Sequence, residues 1–171
     1  MKNKARHIDQ VPPDKGHYIA GFVDGEGSFF ISARKRNDYS SKWKFGLHFN
    51  VSNSDIVILE VCKKYLGCGV IRESKPKFYT LEVQSRDVLK NFVIPFFRKY
   101  GFLSNKKKEE FRVFQEAFNL LEAKIQTETD LKKFLQFRLK LNRFRKTRIT
   151  NTDQIIYQSF LFMEKSSETI R

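Results

Sequence analysis

Ile19-Ala20-Gly21-Phe22-Val23-Asp24-Gly25-Glu26-Gly27 runs directly into Ser28-Phe29-Phe30-Ile31-Ser32, and the reading of this junction decides the fold. The first part reads as a helix that stops at Gly27, the second as a strand. Gly21 and Gly25 share one helical face with Ala20 and Asp24 beside them, so a second helix can approach almost backbone to backbone. Each glycine costs a helix roughly 1 kcal/mol relative to alanine, which makes an ordinary buried helix a poor explanation. Asp24 and Glu26 fall at the negative pole of the helix dipole, where carboxylates are disfavoured. Something positive is expected there, and a divalent cation would satisfy both acids.

Upstream, residues 1–11 read as a loose basic lead, and Pro12-Pro13 stiffens the approach to a helix that Asp14 can cap. Downstream the period changes to two: Phe29, Ile31 and Ala33 on one face, Ser28, Phe30, Ser32, Arg34 and Arg36 on the other. A polar turn over Asn37 to Ser41 leads to Lys44–Asn53, with Phe45, Leu47, Phe49 and Val51 inward and Lys44, Gly46, His48 and Asn50 outward. Ser54 and Asp55 open a helix stopped by Gly67. A second strand pair, about 69–74 and 78–84, turns through Lys75-Pro76-Lys77, with Tyr79, Leu81 and Val83 facing the core and Arg72, Ser74, Thr80 and Gln84 outward. Ser85 then caps a helix that must end or kink at Pro95.

Ser104-Asn105 starts a further helix with Phe111, Phe114, Phe118 and Leu121 on its buried stripe. Its first turn carries Lys106, Lys107 and Lys108, cations at the end of the dipole that repels them. A nearby phosphate would reverse that penalty. A solvated charge run accounts equally well for Lys107 and Lys108. Leu131, Phe134, Leu135, Arg138 and Leu141 mark another helix, Arg143 to Arg148 a basic stretch, and Thr150 to Thr152 the cap of a last helix through Met163, with residues 164–171 frayed. The expected organisation is residues 1–11 as lead, 12–124 as an α+β core of order αββαββα, and 125–171 as a C-terminal helical extension of the same domain.

Composition narrows the function. The 171 residues include 33 Lys+Arg against 19 Asp+Glu, a net charge of +14 that suits a polyanionic partner, although charge alone does not choose between nucleic acids. The 18 phenylalanines are the expected core filling. Cys62 and Cys68 lack metal-site or disulfide-framework spacing, and His7, His17 and His48 are scattered, so a structural zinc site is not expected and a reducing intracellular setting is. No secretory signal and no membrane span are read from the chain.

The stretch Ile19–Gly27, in a basic chain and followed at once by a strand, resembles the signature of the LAGLIDADG homing endonucleases. The resemblance implies a mixed α/β fold with a curved antiparallel DNA-binding sheet. The motif occurs once and no internal repeat is visible, so its bulk-free face, Ala20, Gly21, Asp24 and Gly25, is expected to form a homodimer seam, as single-motif members of the family do. That symmetry would bring one Glu26 from each subunit together over the scissile phosphates with Mg²⁺, a site that Mn²⁺ or Ca²⁺ can also occupy. The resemblance further implies the Gly25 carbonyl as a metal ligand and Asp24 as a support capping the partner helix. It also suggests catalytic roles for Asn53, where the family's common glutamine is absent, and for Lys106.

A two-stranded ribbon fits the DNA major groove, and two sheets related by a two-fold favour a long pseudo-palindromic duplex site. Arg34, Arg36, Lys44 and Arg72 are then candidates for guanine edges or phosphates and Asn50 for an adenine edge, with Ser28, Phe30, Ser32, His48, Ser74, Thr80, Lys107 and Lys108 completing the DNA-binding set. Singly, each could be a solvated strand residue; as a set on one face with this charge they are not. The leading expectation is an intron-encoded, Mg²⁺-dependent, double-strand DNA endonuclease in a DNA-containing compartment, bacterial cytoplasm, plastid or mitochondrion. The alternatives are a splicing maturase of the same fold that has lost cleavage and a metal-independent DNA-binding regulator.

Overall fold

The computed structural model describes residues 8–36, 43–145 and 152–159. The element order is α1 (Pro13–Glu26), β1 (Gly27–Lys35), β2 (Trp43–Asn53), α2 (Ile56–Leu66), β3 (Val70–Lys75), β4 (Phe78–Val83) and α3. Helix α3 comprises Arg86–Val88, a π-helical turn Leu89–Val93 and Ile94–Tyr100. Then come α4 (Asn105–Glu122), α5 (Glu128–Phe144) and α6 (152–159). The expected αββαββα order is therefore present, with further helices after it. The strands form a four-stranded sheet in the order β1-β2-β4-β3, with β4 antiparallel to both β2 and β3.

Most element ends follow from local chemistry. Asp55 caps α2 by accepting from Val57 N at 2.9 Å, and Gly67 closes it in the left-handed region at φ 70°, where a side chain would be strained. Two caps differ from expectation. Helix α1 starts on Pro12 with Pro13 in its first turn, and Asp14 makes no cap, because a proline at the first helical position is already preorganised. Ser85 precedes α3 without a side-chain cap bond. Pro95 does not end α3; the Ile94 N–H reaches back to Leu89 O through the π turn, which absorbs the register lost at the proline, and the helix continues to Tyr100. The basic lead up to His7, the Asn37–Ser41 turn, Lys146–Arg148, Thr150 and the chain from 160 onward lie outside the described residues.

The chain divides into two compact units, Met1–Phe29 with Leu47–Phe111, and Phe30–Gly46 with Arg112–Arg171. The core of the first is aromatic. Phe29 lies 5.1 Å from Phe49, 5.9 Å from Phe97 and 5.3 Å from Phe111 between ring centroids, and Phe97 stacks on Phe102 at 4.8 Å. Ile19, Val23, Leu59, Leu81 and Leu89 fill around them. Cys62 is buried beside this core and Cys68 half-buried; burial pushes both thiols up to about 12, in keeping with packing residues. In the second unit Trp43, Leu131, Leu135 and Ile156 cluster, with Phe45 against Phe134 at 4.9 Å. Helix α5 begins with a capping box between Thr127 and Asp130, and Arg138 pairs with Asp153 while its Nε donates to Ile31 O at 3.3 Å.

Gly16 packs under Tyr100, whose hydroxyl donates to Val11 O at 2.9 Å. A Cβ at Gly16 would lie 2.2 Å from the Tyr100 ring. Gly16→Ala is expected to destabilise the fold by roughly 1–3 kcal/mol despite alanine's better helix propensity, as measured by urea denaturation. A neutral or stabilised variant would show that the ring moves aside freely.

Candidate functional site

The site is built where α1 stops. Gly27 turns to extended backbone, φ −81° and ψ 160°, and its N–H closes on Val23 O. A Cβ there would lie 2.4 Å from Val23 Cγ1 and 2.7 Å from Val23 O, so only glycine lets helix and strand meet this tightly. The turn is held from outside by the start of α4. Asp24 Oδ2 accepts from Leu103 N at 2.9 Å and from Ser104 N at 2.8 Å, and Asp24 Oδ1 accepts from Ser104 Oγ. Asp24, expected to cap a partner helix, accepts within its own chain the amides of Leu103 and Ser104, the two residues before α4, while Ser104 Oγ takes the Lys107 N–H at the start of that helix. Burial works against the charge on Asp24, but the bonds from Ser104 and Leu103, with Lys107 nearby, outweigh it and hold the carboxyl below its usual 3.8.

Lys107 is 4 % exposed and Glu110 2 %. Lys107 Nζ donates to Gly27 O at 2.5 Å and to Glu110 Oε2 at 2.8 Å, while Glu110 Oε1 accepts the Phe29 N–H at 2.8 Å. Lys107 was expected among the DNA contacts; instead its ammonium supplies, inside the fold, the positive charge that the end of α1 requires. Lys106 and Lys108 are exposed. Glu110 was not singled out, although a signal existed: Lys107 and Glu110 interrupt the apolar stripe of α4 on the same face as Phe114 and Phe118.

With Asp24 and Gly27 satisfied internally, Glu26 and Gly25 are left at the surface. Gly21 and Gly25 are exposed, and a Cβ at either meets nothing within 4 Å. Ala20, expected in the same seam, is buried in the chain's own core, because it lies on the Ile19–Val23 side of α1. Among the described residues no cluster of three or more His, Cys, Asp or Glu could hold a metal, and no helix is long and apolar enough to cross a membrane. The donor set still suits a hard cation: a surface carboxylate and a backbone carbonyl at a helix C-terminus, both oxygen. The Phe29 N–H, which another turn of helix would direct to Gly25 O, goes to Glu110 instead.

In the first unit, strand register places Asn50 opposite Glu82, and Ser52 opposite Thr80, which faces Arg72. Ser52 Oγ and Thr80 Oγ1 are 2.8 Å apart, and Thr80 reaches Ser74 at 3.4 Å, so this face is a polar network. His48 departs from its outward assignment: it is buried, with Nδ1 3.6 Å from Glu82 Oε1. Ser28 is half-buried. Asn53 closes β2, and its Oδ1 accepts the Asp55 N–H at 2.8 Å, engaging the oxygen in the turn into α2. In the second unit Ser32 is half-buried, Arg34, Arg36 and Lys44 are exposed, and the Arg145 guanidinium lies 3.9 Å above the Phe30 ring.

Asp24→Ala removes the acceptor for two amides and a hydroxyl, and is expected to cost about 1 kcal/mol at neutral pH, as loss of a cap does. The folded-state pKa lies below the unfolded one, so this contribution is complete above pH 3.8 and fades as pH falls through the folded value. Urea denaturation across that range should show the difference between wild type and variant shrinking. A difference that stayed constant to strong acid would mean that the carboxylate charge does not hold the turn.

A family model described as LAGLIDADG endonuclease matches residues 19–118, more than half of the chain. Over 131 residues the chain is 31% identical to a probable intron-encoded endonuclease 2 of Neurospora crassa, covering 73% of this chain and 28% of that protein. It thus spans little more than a quarter of that relative's length. The homing endonuclease I-ApeII of Aeropyrum pernix is 28% identical over 101 residues, 58% of this chain and 59% of that one. Among solved structures, an archaeal intron-encoded homing endonuclease, I-Vdi141I, complexed with DNA, superposes with TM-score 0.75 at 26% identity, covering 89% of this chain and 96% of that one. A signature stretch that closes in Asp24-Gly25-Glu26-Gly27, a four-stranded sheet and a matching family model lead to one conclusion: the chain belongs to the LAGLIDADG endonuclease family.

Proposed function

We propose that this chain is one subunit of a homodimeric, site-specific double-strand DNA endonuclease that uses Mg²⁺, encoded within an intron as its Neurospora relative is named. The observation that carries the reading is Glu26, exposed at the negative end of a helix whose other acid, Asp24, is already consumed by amides. A carboxylate left at that pole by an otherwise satisfied turn is stabilised by a cation and a polyanion together.

In this reading Glu26 and the Gly25 carbonyl hold the divalent cation. When bound, it lowers the pKa of an attacking water and neutralises charge on the leaving oxygen. Lys106, exposed on the first turn of α4, contacts the scissile phosphate, and Lys108 a neighbouring one. The Asn53 amide, whose oxygen is held by Asp55 N, points its NH₂ at water or phosphate. Asn50, Arg72, Ser74 and Thr80 in one unit, and Phe30, Ser32, Arg34, Arg36 and Lys44 in the other, read the duplex. The net charge of +14 supplies the affinity that is independent of sequence. Gly21 and Gly25, open to solvent within the subunit, form the seam with a second copy.

Glu26→Gln is expected to lower cleavage by at least about a hundredfold while leaving gel-shift affinity for the selected duplex unchanged. Cleavage at the wild-type rate would overturn the assignment. A Cβ added at Gly21 meets nothing within 4 Å in the chain, so Gly21→Ala should keep wild-type helix content by circular dichroism, while the dimer dissociation constant measured by sedimentation rises about tenfold or more, a loss of about 1.4 kcal/mol. An unchanged dimer would place the seam elsewhere.

A further inference from the structure

The buried Lys107–Glu110 pair has no evident purpose as a stabiliser. An ion pair taken out of water is generally no more stable than two well-packed apolar side chains of similar volume. What it does is specific. It takes two backbone polar atoms just past Glu26, Gly27 O and Phe29 N. Had α1 gone one turn further, Phe29 N–H would have closed on Gly25 O. The helix stops earlier, at the extended Gly27, and Glu110 takes the Phe29 N–H that this turn leaves over, at 2.8 Å. Lys107 holds the Gly27 peptide from the same side, and its own backbone N–H donates to Ser104 Oγ at 3.1 Å. Ser104 in turn grips Asp24. Residues 103–110, the approach to α4 and its start, thus hold residues 24, 27 and 29 in place, and Gly25 and Glu26 between them are left exposed.

We infer that Lys107 and Glu110 are positioning residues: the pair holds Gly27 O and Phe29 N–H and so fixes the turn after Glu26, so that the Gly25 carbonyl and the Glu26 carboxylate face one cation. This rests on the reading in which those two residues hold the metal. Neither side chain touches DNA or substrate; both act through the backbone of the turn.

The test uses Mn²⁺ as the probe, with its uptake by the protein–duplex complex followed by electron paramagnetic resonance, on a duplex selected as a substrate of the wild type. The paired apolar variant Lys107→Met/Glu110→Leu avoids leaving one buried charge alone. It is expected to melt close to wild type and to bind the duplex in EDTA with unchanged affinity. Phe29 amide exchange should be faster, and Mn²⁺ binding about tenfold or more weaker, as when groups that orient metal ligands are removed. Glu110→Gln, which still offers an oxygen to Phe29 N–H, should keep Mn²⁺ affinity close to wild type.

Wild-type Mn²⁺ affinity in the apolar variant overturns the inference, as does an equal loss in Glu110→Gln. A drop in duplex affinity in EDTA with Mn²⁺ uptake intact would make Lys107 a DNA contact and overturn it too. Glu26→Gln separates the two levels: if that variant takes up Mn²⁺ like wild type, the metal reading itself fails and the inference falls with it.

Discussion

The termination of α1 is the constraint on which the rest depends. A helix cannot end against protein without finding partners for its last carbonyls and a home for the charge of its negative pole. Here the approach to α4 and its start provide both. Asp24 is held by the Leu103 and Ser104 amides just before α4, Gly27 O by the Lys107 ammonium, and Phe29 N–H by Glu110. These bonds join positions about eighty apart in sequence, so the helix, the strand that follows and α4 are placed by a single polar knot. The phenylalanines pack around it: Phe29 on the strand side and Phe102 and Phe111 flanking the α4 turn lie within 6.1 Å of one another in ring centroids.

That knot also sorts the acids by role. Asp24 and Glu26 carry the same charge, two positions apart, yet one is fully bonded and the other is left at the surface. The distinction arises from helical geometry. Residue 24 points toward the side on which α4 begins, and residue 26, rotated about 200° further round the helix, does not. Helical rotation likewise separates Ala20, buried in the chain's own core, from Gly21 and Gly25, about 100° and 140° round from it, which are open.

The strand faces follow a simpler rule. Alternation assigned Phe29, Phe49, Val51, Leu81 and Val83 to the core, where they lie, because period-two patterning and pleat geometry are the same thing. His48 fails the rule because its ring folds down beside Glu82 and is covered. Lys107 fails as an exposed cation for a related reason: its long stem lets the ammonium travel to a carbonyl eighty positions earlier, which no spacing argument anticipates.

What the sequence determined by itself was local: the helix-to-strand junction at Gly27, the alternation in the strands, the Asp55 cap, the Gly67 stop and the family signature. Each depends on residues within a few positions of one another, where conformational preference acts directly. What only the tertiary structure decided was which charges are spent and which are left over. Asp24 binds amides of its own chain just before α4, Lys107 with Glu110 is buried, α3 passes through Pro95 by a π turn, and Arg145 covers Phe30. Electrostatic partnership depends on distance in space and on desolvation, and both are created only when remote segments pack.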